Sequence, residues 1–388
     1  MDVDAPLALL GGLSPAAFMR RHWQRRPLLV RQAWPGVVPP LPRAALMALA
    51  AREDVESRLV QREGARWQVR RGPLPRRALP PLARPGWTLL VQGLDLHVPA
   101  AHEMLSRFRF VPDARLDDLM VSWASPGGGV GPHLDSYDVF LLQLGGRRRW
   151  RIGPVRSAAE ERLVEGAPLK LLADFRPQQE WVLEPGDLLY LPPRWGHDGV
   201  AEGGDCMTCS IGFRAPAADE LAAELLQRLA DEAADDARDA VHALRYRDAG
   251  QPAVAQPAAI PPGLLDYARG ALARRLADPQ ALARVLGESL SEPKPDVWFE
   301  QREPAPWPAG CGAVLDRRTR MLHDARHVFI NGQAYRAGGR DARLMHGLAD
   351  RRRLAAAALR ALGEDARALI DDWRAAGWLH AVPDEDPA

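Results

Sequence analysis

The stretch "GVGPHLDSYDVFLLQLGGRRRWRIG", residues 129–153, decides the fold. A glycine-rich loop leads to His133 and Asp135, two positions apart, and then to a run of strand-forming residues. Alternate residues of a strand point to one face, so an extended chain presents this imidazole and carboxylate side by side, with Leu134 turned away. By the same parity Tyr137 is expected on their face. Gly145-Gly146 reads as a turn. Beyond it Arg148, Trp150 and Ile152 share one strand face, and Arg147, Arg149 and Arg151 share the other. The set with the tryptophan and the isoleucine is expected inside, and the other three arginines in solvent. A single inward arginine needs a buried anion, and a guanidinium grips a carboxylate through two parallel hydrogen bonds.

A second histidine from another strand would complete a set of two histidines and one carboxylate. Such a set covers one triangular face of an octahedral metal and leaves three positions open. The segment "EPGDLLYLPPRWGHDGVA", residues 184–201, offers that histidine. Pro185-Gly186-Asp187 makes a turn, Leu188 to Leu191 a buried strand, and His197 opens the next strand after a Pro-Pro bend. A bare His-x-Asp occurs by chance in many strands; the ordered set of loop, motif, strand, bend and histidine does not. For His22, His97, His102, His242, His323, His327, His346 and His380, ordinary surface or core roles are expected. His323 and His327 are four apart, but in a β-like stretch they share no helical face. Cys206 and Cys209 lack the second pair or the neighbouring histidines that zinc wants, and read as strand residues. On the strand before the glycine-rich loop, Asp118, Met120, Ser122 and Ala124 share one face, and Leu119, Val121 and Trp123 the other.

The chain has 388 residues, 47% hydrophobic and 26% charged, which is ordinary for a soluble globular protein of two or three domains. A net charge of +1 supplies no global field toward nucleic acid or membrane. Three cysteines make no disulfide framework. The start, "MDVDAPLALLGGL", lacks a signal-peptide pattern, and no apolar run reaches the roughly 18 residues of a spanning helix. A cytoplasmic chain is the expectation. Residues 14–31 read as a helix capped by Ser14, with Pro15 at its first position, running into a short strand. Residues 115–213 carry short, evenly spaced strands, "HDGVAE" and "CMTCSIGFR" among them, as in a sandwich or barrel. Residues 217–290 follow a helical pattern, broken by the Pro-rich "QPAVAQPAAIPP", with Leu221, Leu225 and Leu229 at helical spacing. A self-associating bundle, and hence a homodimer, would explain it. From about 290 the chain reads as β-structure with an Asn331-Gly332 turn, then helices near 350–362 and 364–376, then a short β-like end.

With these residues in hand, the chain resembles the cupin-type, JmjC-like 2-oxoglutarate oxygenases. More closely, it resembles the bacterial ribosomal oxygenases that hydroxylate an arginine of the sixteenth protein of the large ribosomal subunit. The resemblance runs through "FMRRHWQRRPLLVRQAWP" (18–35), "SPGGGVGPHLDSYDVFLLQLGGRRRWRIG" (125–153), "EPGDLLYLPPRWGHDGVA" (184–201) and "SIGFR" (210–214), and through the order of the later zones. It implies a mixed fold: a double-stranded β-helix (jelly-roll, cupin/JmjC) core, a helical dimerisation segment and a C-terminal winged-helix-like domain. The corresponding boundaries are 1–215 for the catalytic domain with its N-terminal elaboration, 216–290 and 291–388.

The resemblance also implies Fe(II) held by His133, Asp135 and His197, with 2-oxoglutarate and O2 as co-substrates. Arg148 matches the residue that pairs with the distal carboxylate of 2-oxoglutarate, and Ser122 lies where relatives carry another polar cofactor contact. Asp118 and Tyr137 match positions around the target arginine, with Met120 and Ser210 on the substrate side. The reaction implied is hydroxylation of the β-carbon of arginine. The partners implied are a ribosomal protein substrate and a second copy of the chain, with no membrane.

Three other readings compete. The same barrel could serve a JmjC-type hydroxylase or demethylase of another protein. It could be a non-catalytic, metal-sensing cupin with a DNA-binding winged helix. It could be a zinc or manganese isomerase, although those usually add a further glutamate or histidine near the first ligand. A DNA-binding winged helix needs a basic recognition helix. "DARLMHGLADRRRLAAAALRAL" supplies Arg351, Arg352 and Arg353, but "EDARALIDDW" follows without a basic stripe. Substrate docking or an architectural role is therefore expected of this zone, rather than direct nucleic-acid binding.

Overall fold

The structure, a computed structural model, describes residues 2–239, 245–303 and 305–384. The chain divides into two compact units, residues 1–215 and 216–388.

The first unit is built on strands β1 (Leu28–Val30), β2 (Ser57–Glu63), β3 (Arg66–Arg71), β4 (Trp87–Val91), β5 (Leu116–Ala124), β6 (Val139–Pro154), β7 (Gln179–Leu183), β8 (Leu188–Leu191) and β9 (Trp195–Phe213). They form one sheet in the order β1-β8-β6-β9-β5-β4-β2-β3, with β7 also on β6. The two long strands run antiparallel along almost their whole length, from Val139 opposite Gly212 to Pro154 opposite Trp195. On its other edge β6 changes neighbour half-way: β8 pairs Val139 to Leu142, and β7 pairs Arg148 to Ile152. A sheet whose central strand changes partners in this way rolls over on itself, which is the expected jelly-roll.

Two sequence expectations fail here for one reason. Gly145-Gly146 is not a turn, because β6 passes straight through it with register shifts at Gln143/Gly145 and Gly145/Arg147. Gly146 has φ +61°, and any Cβ there would lie 2.1 Å from the carbonyl oxygen of Asp205, so the close approach of β9 demands glycine. "HDGVAE" and "CMTCSIGFR", expected as two strands, are one continuous β9. The irregularities bend both strands instead of ending them. They also switch parity: Val139 and Leu141 pack in one cluster with Trp150 and Ile152. Phe140 and Leu142 point instead into the main core. Cys206 and Cys209 are free thiols buried in separate clusters, as ordinary strand residues.

The N-terminal helix Pro15–Arg21 begins where Ser14 Oγ accepts the Ala17 N–H at 3.2 Å. It buries Phe18 against Tyr190 and Phe140, ring centroids 4.9 and 5.4 Å away. Burying such a ring stabilises by about 1.5–3 kcal/mol, which ties this helix to β6 and β8.

The second unit holds helices Ala218–Asp239, Pro262–Leu276 and Pro279–Ser291, two three-stranded sheets, and helices Gly339–Arg351, Ala356–Arg360 and Glu364–Ala375. The expected hairpin turn is present, with φ +47° at Asn331 and +84° at Gly332. The helix expected at 350–362 is instead two pieces. Arg352 adopts φ +57° and gives its guanidinium to the carbonyls of Asp316 and Thr319, which ends the first helix at Arg351. Pro279–Ser291 sits on the C-terminal hairpin, because Gly287 lets Phe329 approach so closely that any Cβ would meet its ring at 2.3 Å. His323 stacks on His346 and bonds Asp350, and His327 bonds Asp324; His242 lies outside the described residues. Among the described residues no helix is long and apolar enough to cross a membrane.

Candidate metal centre

The residues from His133 to Asp138 are not the strand that the alternation suggested. Only His133 pairs, through an isolated antiparallel bridge to His197. The two residues exchange both backbone hydrogen bonds, His133 N–H to His197 O at 3.0 Å and His197 N–H to His133 O at 2.9 Å. Directly opposed residues of an antiparallel pair project their side chains to the same side. The two imidazoles accordingly lie 4.2 Å apart, centroid to centroid. Asp135 joins them, its Oδ2 3.5 Å from His197 Nε2. One donor atom from each of the three lies within 4.8 Å of the other two, and no other such cluster occurs among the described residues.

Each ring is fixed by its other nitrogen. His133 Nδ1 bonds the Gly131 carbonyl at 2.9 Å, and His197 Nδ1 the Trp195 carbonyl at 3.0 Å. A carbonyl only accepts, so each Nδ1 carries the proton and each Nε2 keeps a lone pair for a metal. Burial, with His133 adding to it, lowers His197 to about 4, so this imidazole is neutral at neutral pH. Two imidazoles and a carboxylate form a donor set that suits Fe(II).

Deeper in the barrel lies Arg148, 3% exposed. Its NH1 donates to Ser122 Oγ at 3.1 Å and Thr208 Oγ1 at 3.3 Å, and its NH2 to the Gly199 carbonyl at 3.2 Å. Thr208 Oγ1 in turn donates to Gln143 Oε1 at 2.9 Å. All these partners are neutral, and Arg148 Nε is buried with no acceptor. A buried guanidinium without a carboxylate is costly to maintain, and it fits an anionic ligand. Arg147 and Arg149 are exposed and Arg151 half-buried, the last two paired with acids on the outer face, as expected.

On β5, Asp118 is buried and accepts the Gly93 N–H at 2.9 Å. Asp95 accepts the Leu119 N–H at 2.8 Å, bracing the same stretch of strand. Met120 pairs with Ser210 of β9 and Ser122 with Thr208, so these residues form neighbouring rows. Tyr137 sits in a bend, 39% exposed, rather than in a strand. Sequence reading missed Thr208, Gly199 and Gln143. The parity of β9 could have offered Thr208, two residues before Ser210, whereas Gly199 and Gln143 meet Arg148 or its partners only through strand register.

The matches to known proteins agree with this geometry. The JmjC domain family matches residues 103–221, and the ROXA-like winged helix matches residues 274–380. The ribosomal protein uL16 3-hydroxylase of Escherichia coli is 34% identical over 333 residues, 81% of this chain and 84% of that protein. The chain belongs to the ribosomal oxygenase family. A probable ribosomal oxygenase of Haemophilus influenzae is 38% identical over 209 residues, 53% of this chain and 50% of that one. The structure of the Escherichia coli ribosomal oxygenase YcfD in complex with cobalt and 2-oxoglutarate superposes with a TM-score of 0.78 at 30% identity, covering 95% of this chain and 98% of that one. In this ribosomal oxygenase, then, the paired histidines, Asp135 and the buried Arg148 stand in a barrel whose relative takes both a metal and a keto-acid.

Proposed function

We propose that this chain is an Fe(II)- and 2-oxoglutarate-dependent hydroxylase of a ribosomal protein, acting on the β-carbon of an arginine in the large-subunit protein uL16. The observation that carries the reading is the convergence of His133, Asp135 and His197 beside a buried arginine that lacks a carboxylate. Bound Fe(II), 2-oxoglutarate and O2 supply oxidative decarboxylation to succinate and CO2, coupled to insertion of oxygen into an unactivated C–H bond.

The chain's own part is positioning. His133, Asp135 and His197 would hold the ion. Arg148, steered by Ser122, Thr208 and Gly199, receives the distal carboxylate of 2-oxoglutarate, and Ser122 adds a polar contact. Asp118 bonds the target guanidinium and Tyr137 packs along its stem, with Met120 and Ser210 closing the substrate side; together they decide which C–H faces the metal. The apolar wall of Trp150, Ile152 and Leu189 keeps water from the buried end.

Our division of the chain is a catalytic region, 1–215, a helical dimerisation region, 216–290, and a winged-helix-like region, 291–388, in a cytoplasmic homodimer. Exposed leucines on the helices, Leu226 at 53%, Leu272 at 68% and Leu276 at 53%, support the dimer. The winged-helix-like region serves docking or architecture, since Arg352 is spent on the carbonyls of Asp316 and Thr319.

The test is turnover of synthetic uL16 peptides spanning each arginine, with Fe(II), ascorbate and 2-oxoglutarate. A one-oxygen mass gain on arginine, matched by succinate, is expected. Succinate without any peptide oxidation would reject the substrate, and no turnover at all would reject the enzyme.

A further inference from the structure

Gly212 is a glycine that the fold does not require. Its backbone is outside the left-handed region, so any residue could adopt it. A Cβ built there lies 3.6 Å from Asp118 Oδ1 and 3.9 Å from Tyr137 Cε2, which is ordinary van der Waals contact. Neither strain nor crowding excludes alanine. What a methyl group would do is fill the space that the Asp118 carboxylate and the Tyr137 ring both border.

The strand pairing explains why that space exists. Leu116 pairs with Phe213 and Leu119 with Ile211, so Asp117 and Asp118 together oppose the single residue Gly212. Such a bulge re-aims a side chain. Here the Gly93 N–H holds Asp118 Oδ2 and Asp95 holds the Leu119 N–H, and Asp118 Oδ1 lies on the Gly212 side. A carboxylate on one side, an aromatic ring on the other and a bare Cα between them suit a flat cation, which can bond the acid along its edge while its plane meets the ring.

We propose that Gly212 is a specificity-determining residue: its missing side chain leaves the slot in which the guanidinium of the target arginine lies between Asp118 and Tyr137. The inference rests on the role given to those two residues under Proposed function. A single added methyl group in a fitted pocket changes discrimination by roughly 10- to 200-fold.

The experiment uses the full chain loaded with Fe(II), wild type beside Gly212→Ala and Gly212→Val. It measures melting temperature, 2-oxoglutarate affinity, and kcat and KM for the uL16 peptide that the wild type oxidises. Gly212→Ala should keep the wild-type melting temperature and 2-oxoglutarate affinity while its kcat/KM for peptide falls at least about tenfold, mainly through KM. Gly212→Val should leave no measurable peptide oxidation. Wild-type kcat/KM in Gly212→Ala overturns the inference. So does a loss of peptide activity that comes with an equal loss of melting temperature or 2-oxoglutarate affinity, since the methyl group would then act on the barrel. A wild type that oxidises no uL16 peptide sinks the functional reading itself, and the slot with it.

Discussion

Replacing Arg148 with methionine keeps much of its volume and removes its charge. The guanidinium is almost wholly buried, and its bonds to Ser122, Thr208 and Gly199 are all to neutral groups at 3.1–3.3 Å. Those bonds orient it without neutralising it, so the favourable ion pair is left for the ligand. Removing one partner of a buried, hydrogen-bonded charge pair costs about 3–5 kcal/mol. At about 1.4 kcal/mol per decade, that raises the 2-oxoglutarate Kd by roughly 100- to 4,000-fold. The substitution also leaves two hydroxyls and a carbonyl short of a partner, a separate loss of about 1–3 kcal/mol for each group left bare. A thermodynamic cycle removes that complication. Calorimetry on anaerobic, Fe(II)-loaded enzyme would compare 2-oxoglutarate with 2-oxobutyrate, which lacks the distal carboxylate. The wild type should strongly prefer 2-oxoglutarate, and Arg148→Met should bind the two alike. If Arg148→Met kept the wild-type preference, the distal carboxylate would lie elsewhere and Arg148 would not mark the keto-acid end of the barrel.

His197→Ala should weaken Fe(II) binding by more than the roughly 10- to 100-fold typical of losing a supporting group; an unchanged binding isotherm would remove His197 from the centre. Asp95→Ala strips the acceptor from the Leu119 N–H and should raise the peptide KM about tenfold with 2-oxoglutarate affinity intact, while Asp95→Asn, which retains an acceptor, should restore it. Equal defects in both variants would contradict a positioning role. In the second unit Asp316 is buried, which by itself raises its pKa, but hydrogen bonds from His380 and Arg318 hold it well below the usual carboxylate range. A depressed acid contributes stability above its unfolded pKa and loses it as pH falls toward its folded value, so this unit should weaken progressively below about pH 4. Asp316→Asn should flatten that acid limb of the melting curve; an unaltered limb would place the titration on another group.

The parts of the site that obey a short period are readable in the sequence. Arg148, Trp150 and Ile152 face inward because alternation holds within an unbroken run of strand. The Asn331-Gly332 turn is readable because both residues tolerate positive φ. What escapes is set by distant neighbours. Gly145-Gly146 looks like a turn, and only the approach of Asp205 makes it a bend within one strand. Parity puts Tyr137 in a strand that does not exist; it reaches the Asp118 side through a bend. The Ala-rich run after Arg353 has high helical propensity, yet the bonds drawn by the Arg352 guanidinium break the helix before it.

The reciprocal backbone bonds between His133 and His197 have a consequence for how the enzyme is loaded. Since these main-chain bonds set the two rings side by side, most of the ordering that chelation demands is completed during folding, in contrast to domains that collapse only around their ion. The two imidazoles therefore need little further ordering to take up the ion.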